Sequence, residues 1–149
     1  GNIYVGLAKR IYDETVSRLH KRTSLALTRP MAYHPEVQHH VAEMRMALEA
    51  AEAVLERNAI DWSDGVDHGT DWITKIMSAK YTAVNNAWDV ADTAFDLTGG
   101  GGIFRRDRFE RMFRDARLGR IHPGNTLFTH EVVAKLSLGI DPDEQPRWG

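Results

Sequence analysis

Between residues 99 and 125 the chain gathers most of the side chains that could do chemistry. A glycine quartet, Gly99-Gly100-Gly101-Gly102, is followed by seven arginines (Arg105, Arg106, Arg108, Arg111, Arg114, Arg117 and Arg120) and then by Ile121-His122-Pro123-Gly124-Asn125. Glycines lack a Cβ, so they can bring bare backbone amides against an anion or a partner chain, although they also suit a flexible corner. The quartet is neither G-x-G-x-x-G nor G-x-x-x-x-G-K-[ST], so the two standard nucleotide loops are absent. The arginine block could grip phosphate. Asp107, Glu110 and Asp115 interrupt it, leaving +4, and i,i+4 pairs such as Asp107/Arg111 and Glu110/Arg114 neutralise part of that charge. A salt-bridged helix packed on a partner surface is therefore preferred to a nucleic-acid site. His122 is the best-placed imidazole for proton transfer or hydrogen bonding in a cleft, while the same residue could simply cap a turn. His130 followed by Glu131 is a weaker candidate. No metal is expected: of the seven histidines, adjacent His39 and His40 point about 100° apart on a helix, and no H-E-x-x-H is present.

The elements that position these residues read as helices throughout. The chain has 149 residues, 19 Lys+Arg against 21 Asp+Glu, 42% hydrophobic residues and no cysteine. That balance suits one globular domain, excludes a disulfide scaffold and argues against a general polyanion binder. No apolar stretch is long enough to cross a membrane as a helix, and with no signal peptide a cytoplasmic protein is expected. A first helix is expected from about Ile3 to Arg22, with a stripe of Ile3, Leu7, Ile11, Val16 and Leu19. A second is expected to open at Pro35, since proline suits the first helical turn. Its stripe is Val41, Met44, Leu48, Ala51 and Leu55, and it ends near Ala59, before a loop over Asp61-Trp62-Ser63-Asp64-Gly65. A third runs from about Asp67 to Leu97, with Ile73, Ile76, Met77, Ala83, Ala87, Ala91 and Ala94 on or near one face. The glycine quartet stops it. Short helices over Arg106–Leu118 and Thr126–Leu138 follow, and nothing reads as a strand. The expected fold is all-α, an antiparallel four-helix-type bundle over residues 1–140 with a short extra helix and a polar tail over 141–149. Helical pattern begins almost at once and no initiator Met is present, so the chain reads as an excised piece of a larger protein.

Three segments together resemble the C-terminal domain of the acyl-CoA dehydrogenase family. They are Asp96-Leu97-Thr98-Gly99-Gly100-Gly101-Gly102, then Glu110-Arg111-Met112-Phe113-Arg114-Asp115-Ala116-Arg117, then Ile121-His122-Pro123-Gly124-Asn125. The family pattern is a Q-x-x-G-G-x-G turn, an E-R-x-x-R-D-A-[RK] helix and an I-Y-E-G-T turn opening the last helix. The resemblance covers nearly the whole chain, and the first helix, ending at His20-Lys21-Arg22, resembles the family helix that leads to a flavin-contacting arginine. It implies a helical domain and a β domain upstream, a dimer or tetramer, FAD (or FMN) lying between domains and touched by a neighbouring subunit, and an acyl-CoA substrate. By position it implies cofactor contacts at Arg22, Gly99, Gly100, Gly101 and Asn125.

The departures carry as much information. Asp96 stands where the family has Gln, Arg22 is followed by Thr23-Ser24-Leu25 rather than by the family's R-x-x-F-G, and Pro35 replaces a Gln. Pro123 stands where the family's I-Y-E-G-T turn carries the glutamate that abstracts the substrate α-proton, and proline has no group that can do so. Either the base lies upstream, as in some family dehydrogenases, or the chain belongs to the monooxygenase-like branch, which lacks that glutamate, takes reduced flavin from a reductase and uses a histidine near this turn. The second is slightly favoured, with His122 as its catalytic residue. A non-catalytic helical assembly module is the remaining reading. In every case the isolated chain is expected to be inactive, because most walls of the site lie in missing domains.

Overall fold

The computed structural model describes residues 1–25 and 28–144. Among these the regular structure is entirely helical: α1 (Asn2–Lys21), α2 (Pro35–Ser63), α3 (Asp71–Thr98), α4 (Arg108–Leu118) and α5 (Thr126–Ser137), with 3-10 turns at Met31–Tyr33 and Gly99–Ile103. No helix among the described residues is long and apolar enough to cross a membrane. The part of the expected tail from residue 145 onward lies outside the described residues.

Helices α1, α2 and α3 form the centre. Val5 meets Ala51 and Ala83 at one end of the bundle. Ile11 and Leu19 join Leu48, Met44 and Val37 of α2 and Val90 and Leu97 of α3 farther along. Residue numbers rise along α1 and α3 while they fall along α2, so α2 runs antiparallel to the other two. The close approach depends on α3: Ala83, Ala87, Ala91 and Ala94 are all buried, and small side chains at three- and four-residue spacing let neighbouring helices pack tightly. Two amides stitch α2 to α3 along their length, Asn58 donating to the Lys75 carbonyl and Asn86 to that of Ala47, both at 2.8 Å. Helix α4 covers the C-terminal half of α3 by inserting Phe109, which is 0% exposed, beside Phe95, and α5 lies along α3 farther back.

Start and stop signals in the sequence are used as expected at Pro35, which opens α2, and at Gly99, which follows the last residue of α3. Gly99 has φ +65°, a conformation that favours a residue without Cβ. Four expectations are corrected. Ile3 is 84% exposed, and the buried face of α1 is instead Val5, Ala8, Ile11, Thr15 and Leu19. Helix α2 runs past Ala59 to Ser63, where Asp61 is itself buried and bonds Arg57 one turn earlier and His68 beyond the helix. Helix α3 begins at Asp71 rather than near Asp67, and its Ile73 and Ile76 are exposed. Helix α4 begins at Arg108, since Asp107 is its N-cap and accepts from the Phe109 amide at 2.9 Å.

Candidate functional site

Arg22 follows the last turn of α1, and Thr98 closes α3; the parallel course of these helices brings the two together. The Arg22 guanidinium donates to the Thr98 carbonyl. It also lies against Gly99, where an added Cβ would sit 3.3 Å from its Nη2. Glycine at this position therefore serves both the turn and the arginine beside it. Gly100 and Gly101 point into open space, whereas a Cβ on Gly102 would meet Thr98 Oγ1 at 2.9 Å. Gly102 is thus required by packing, and the two glycines before it expose bare backbone.

Beside this turn lies a cleft of about 340 Å³ lined by Thr15, Arg18, Leu19, Lys21, Arg22, Leu97 and Thr98. A second, of about 430 Å³, lies among Glu14, Arg18, Gly101, Arg106, Asp107 and Arg108. Arg18 separates the two. Its guanidinium makes a bidentate pair with Asp107 at 2.7 and 2.8 Å and a further bond to Glu14 at 3.2 Å. The hydrogen bonds from Arg18 hold the Asp107 carboxyl below its ordinary range, and the same pair raises Arg18. Bidentate pairing of this kind fixes geometry as well as charge. Arg18 is therefore committed to locking α1 onto α4. Arg22 is not so committed: among the described residues no carboxylate lies within ion-pair distance of it. The expected pair Asp107/Arg111 does not form; Arg111 faces Asp115 at 3.7 Å, while the expected pair Glu110/Arg114 does form.

His122 and Asn125 lie elsewhere. His122 is exposed, with Nδ1 3.3 Å from the Pro123 carbonyl. Asn125 is the N-cap of α5 and accepts from the Phe128 amide at 3.1 Å. The turn they share is held by Lys80 of α3, and Lys80 stands eighteen residues before Thr98 on the same helix, roughly 27 Å along its axis. A single chain thus brings Arg22, Gly99, Gly100 and Gly101 together and leaves His122 and Asn125 toward the other end of α3. His130 stacks on Tyr81, ring centroids 5.2 Å apart, beside a cleft between α3 and α5. Among the described residues no three His, Cys, Asp or Glu side chains are grouped as a metal site would need.

Two groups escaped the sequence reading. Lys80 has no sequence signal, because its partners are backbone carbonyls 43 and 44 residues away. Asp61 is 1% exposed and bonds Arg57 and His68 Nε2, each at 2.9 Å. Arg57 and Asp61 stand at i,i+4, a spacing that could have signalled it.

The sequence and the fold are shared with known proteins. The family model described as "Acyl-CoA dehydrogenase, C-terminal domain" matches residues 1–126. The chain is 31% identical over 134 residues to cyclohex-1-ene-1-carbonyl-CoA dehydrogenase of Geobacter metallireducens, covering 90% of this chain and 34% of that protein. It is 31% identical over 140 residues to 3-sulfinopropanoyl-CoA desulfinase of Advenella mimigardefordensis, covering 94% and 33%. The fold matches the crystal structure of acyl-CoA dehydrogenase complexed with FAD from Bacillus anthracis with a TM-score of 0.81 at 21% identity, over 91% of this chain and 26% of that one. The chain spans about one third of the length of the curated relatives it matches. Its all-helical bundle, its glycine turn after α3 and the family match over most of its length agree: the chain belongs to the acyl-CoA dehydrogenase family, and what it holds is the C-terminal domain.

Proposed function

We propose that the chain is the C-terminal helical domain, over residues 1–140 with a polar tail beyond, of a larger FAD-dependent oxidoreductase that acts on an acyl thioester and carries further helical and β domains. The observation that carries this reading is the meeting of Arg22 with the glycine turn. A guanidinium has five donors in a planar fork; here one bond goes to the Thr98 carbonyl, and among the described residues no carboxylate meets the fork, which leaves it able to receive a diphosphate. The open backbone of Gly100 and Gly101 adds a surface that an anion can approach without meeting a side chain. These residues fit the diphosphate of FAD, the cofactor that family membership brings to the reading. When bound, a flavin supplies a two-electron acceptor. Arg22, Gly99, Gly100 and Gly101 would bind and orient it, and Arg18 with Asp107 would hold the α1–α4 corner rigid beside them.

The separation between Arg22 and the His122–Asn125 turn supports an oligomer, a dimer or tetramer, in which the two regions serve cofactors shared between copies. Pro123 has no group able to take a proton, so in a thioester dehydrogenase the base is a carboxylate outside this chain. The two curated relatives above act, by their names, on coenzyme A thioesters, which supports this reading over the monooxygenase-like one. The latter, with His122 as its catalytic residue and a flavin reductase as partner, keeps one observation in its favour: the imidazole is exposed at the turn where the family carries its base. A purely structural assembly module predicts oligomers and no flavin at all.

The test uses the full-length protein. It should purify with flavin or take up FAD, and Arg22→Ala should weaken FAD binding by roughly ten- to a hundredfold, the loss of a charge-assisted hydrogen bond, with the protein still folded. A wild-type protein that binds neither oxidised nor reduced flavin overturns the reading. The isolated chain should not turn over an acyl thioester; turnover by that chain would show that the missing domains do not complete the site.

A further inference from the structure

We infer that Lys80 is the positioning residue of the turn over residues 122–125: from α3 its ammonium ties down two consecutive carbonyls, those of Pro123 and Gly124, and so sets how His122 presents its ring. The Nζ donates to the Pro123 oxygen at 3.0 Å and to the Gly124 oxygen. A lysine ammonium is a compact charge with three donors, which lets one side chain serve two acceptors. Gly124 adopts φ +77°, and a Cβ there would come within 3.0 Å of the same Nζ. The positive φ is what favours glycine here, and its missing side chain leaves the lysine tip room to approach without adjustment.

The other ties on this turn are local. Thr129, buried, donates its hydroxyl to the Gly124 carbonyl at 3.2 Å, and Asn125 caps the Phe128 amide. Both belong to α5 or its cap, and the His122 amide donates to the Leu118 carbonyl at the end of α4 at 3.0 Å; Lys80 adds a direct side-chain tie from the turn to α3, the central helix. The lysine is half-buried, and loss of solvent lowers its hold on the proton, so the two carbonyls take the place of water around the charge.

The consequence reaches His122 through one atom. Its Nδ1 lies 3.3 Å from the Pro123 oxygen, the same oxygen that accepts from Lys80. A carbonyl can only accept, so Nδ1 carries the proton, and in the neutral ring Nε2 is left as an acceptor on the exposed side. Lys80 thereby selects the tautomer indirectly, by holding the acceptor in place. This assignment concerns the turn itself and does not rest on the flavin reading.

NMR on the full chain tests it. In the wild type, ¹⁵N spectra should show neutral His122 with its proton on Nδ1, and a Lys80 ammonium signal coupled to the Pro123 and Gly124 carbonyls. Lys80→Met should move His122 toward the Nε2-protonated form, shift amides near 122–129 and speed exchange of the first α5 amides roughly tenfold, the effect of one lost hydrogen bond to a charged group. Lys80→Arg, which keeps charge and donors, should restore most of the wild-type pattern. A wild-type His122 protonated mainly on Nε2 overturns the inference, as does a folded Lys80→Met variant with unchanged tautomer and exchange. Were Lys80→Met not to fold, the wild-type tautomer and the Lys80→Arg pattern would decide by the same criteria.

Discussion

At the N-terminal end of α3 the Asp61 carboxylate sits buried among Arg57 and His68 at 2.9 Å and Lys75 at 3.9 Å, under an edge-to-face pair of Trp62 and Trp72 and a second of His68 and Trp72. At the C-terminal end, Arg18 and Asp107 close on each other in the same way, but Arg22, Arg105 and Arg108 meet no carboxylate among the described residues. Both regions are rich in charge. The first uses its cations on a carboxylate of its own, and the result is a clamp between α2 and α3. The second holds cations in excess of its acids around a bare glycine backbone, which is the condition for receiving an anion from outside. Charge content alone does not separate structure from function; the balance of partners does.

If that distinction is right, stability at the glycine end comes from packing. Phe109→Ala should cost about 3–5 kcal/mol in denaturant unfolding of the full chain, because the ring is wholly buried under α1 and α3 and also supports Arg18, whose guanidinium lies 5.5 Å from its centroid. A loss below about 1 kcal/mol would mean that the charges, not the ring, hold α4 in place.

The clamp at the other end should show itself through pH. The hydrogen bond from His68, and then the charge of Arg57, hold Asp61 below its ordinary value of 3.8 despite its burial. A carboxylate depressed in the folded state contributes stability that is present above the unfolded pKa and is lost as pH falls through the folded one. Asp61→Asn should therefore lower Tm at neutral pH, and the gap to the wild type should narrow as pH drops below 3.8. A gap of constant size down to acid pH would remove the ion cluster from the account of the α2–α3 hairpin.

The smallest effect is expected at Arg22. Arg22→Ala should change unfolding free energy by about 1 kcal/mol at most, while its effect on flavin binding in the full-length protein is large. A destabilisation comparable to that of Phe109→Ala would place Arg22 with the clamps and erase the contrast between the two ends.

Pro35 and the glycine quartet marked helix boundaries in advance, because each acts through its own backbone and needs no distant partner. Alanine at three- and four-residue spacing likewise announced the close-packed face of α3. Asp61-Trp62-Ser63-Asp64-Gly65 reads as loop by composition, yet its first three residues continue α2, since burial beside His68 and Lys75 outweighs local preference. Asp107 and Arg111 have helical spacing, but Asp107 is taken by the bidentate fork of Arg18, 89 residues away. Family resemblance singled out Arg22 and the glycine turn each as a flavin-contacting place; that the two meet is visible only in the structure, and periodicity and composition carry no sign of it.

The sequence by itself determined that the chain is helical, where its principal breaks fall, that position 123 can hold no base and which family the glycine–arginine–proline segment resembles. These are properties of backbone geometry, side-chain chemistry and local spacing. Only the tertiary structure decided which arginine is spent on an acid and which is left over, that Asp61 is a buried hub, and that Lys80 reaches across 43 residues to fix the turn carrying His122. Such pairings depend on which helix ends meet in space, and α1 and α2 packed on α3, with α1 parallel to it and α2 antiparallel, settle that only once the core has closed.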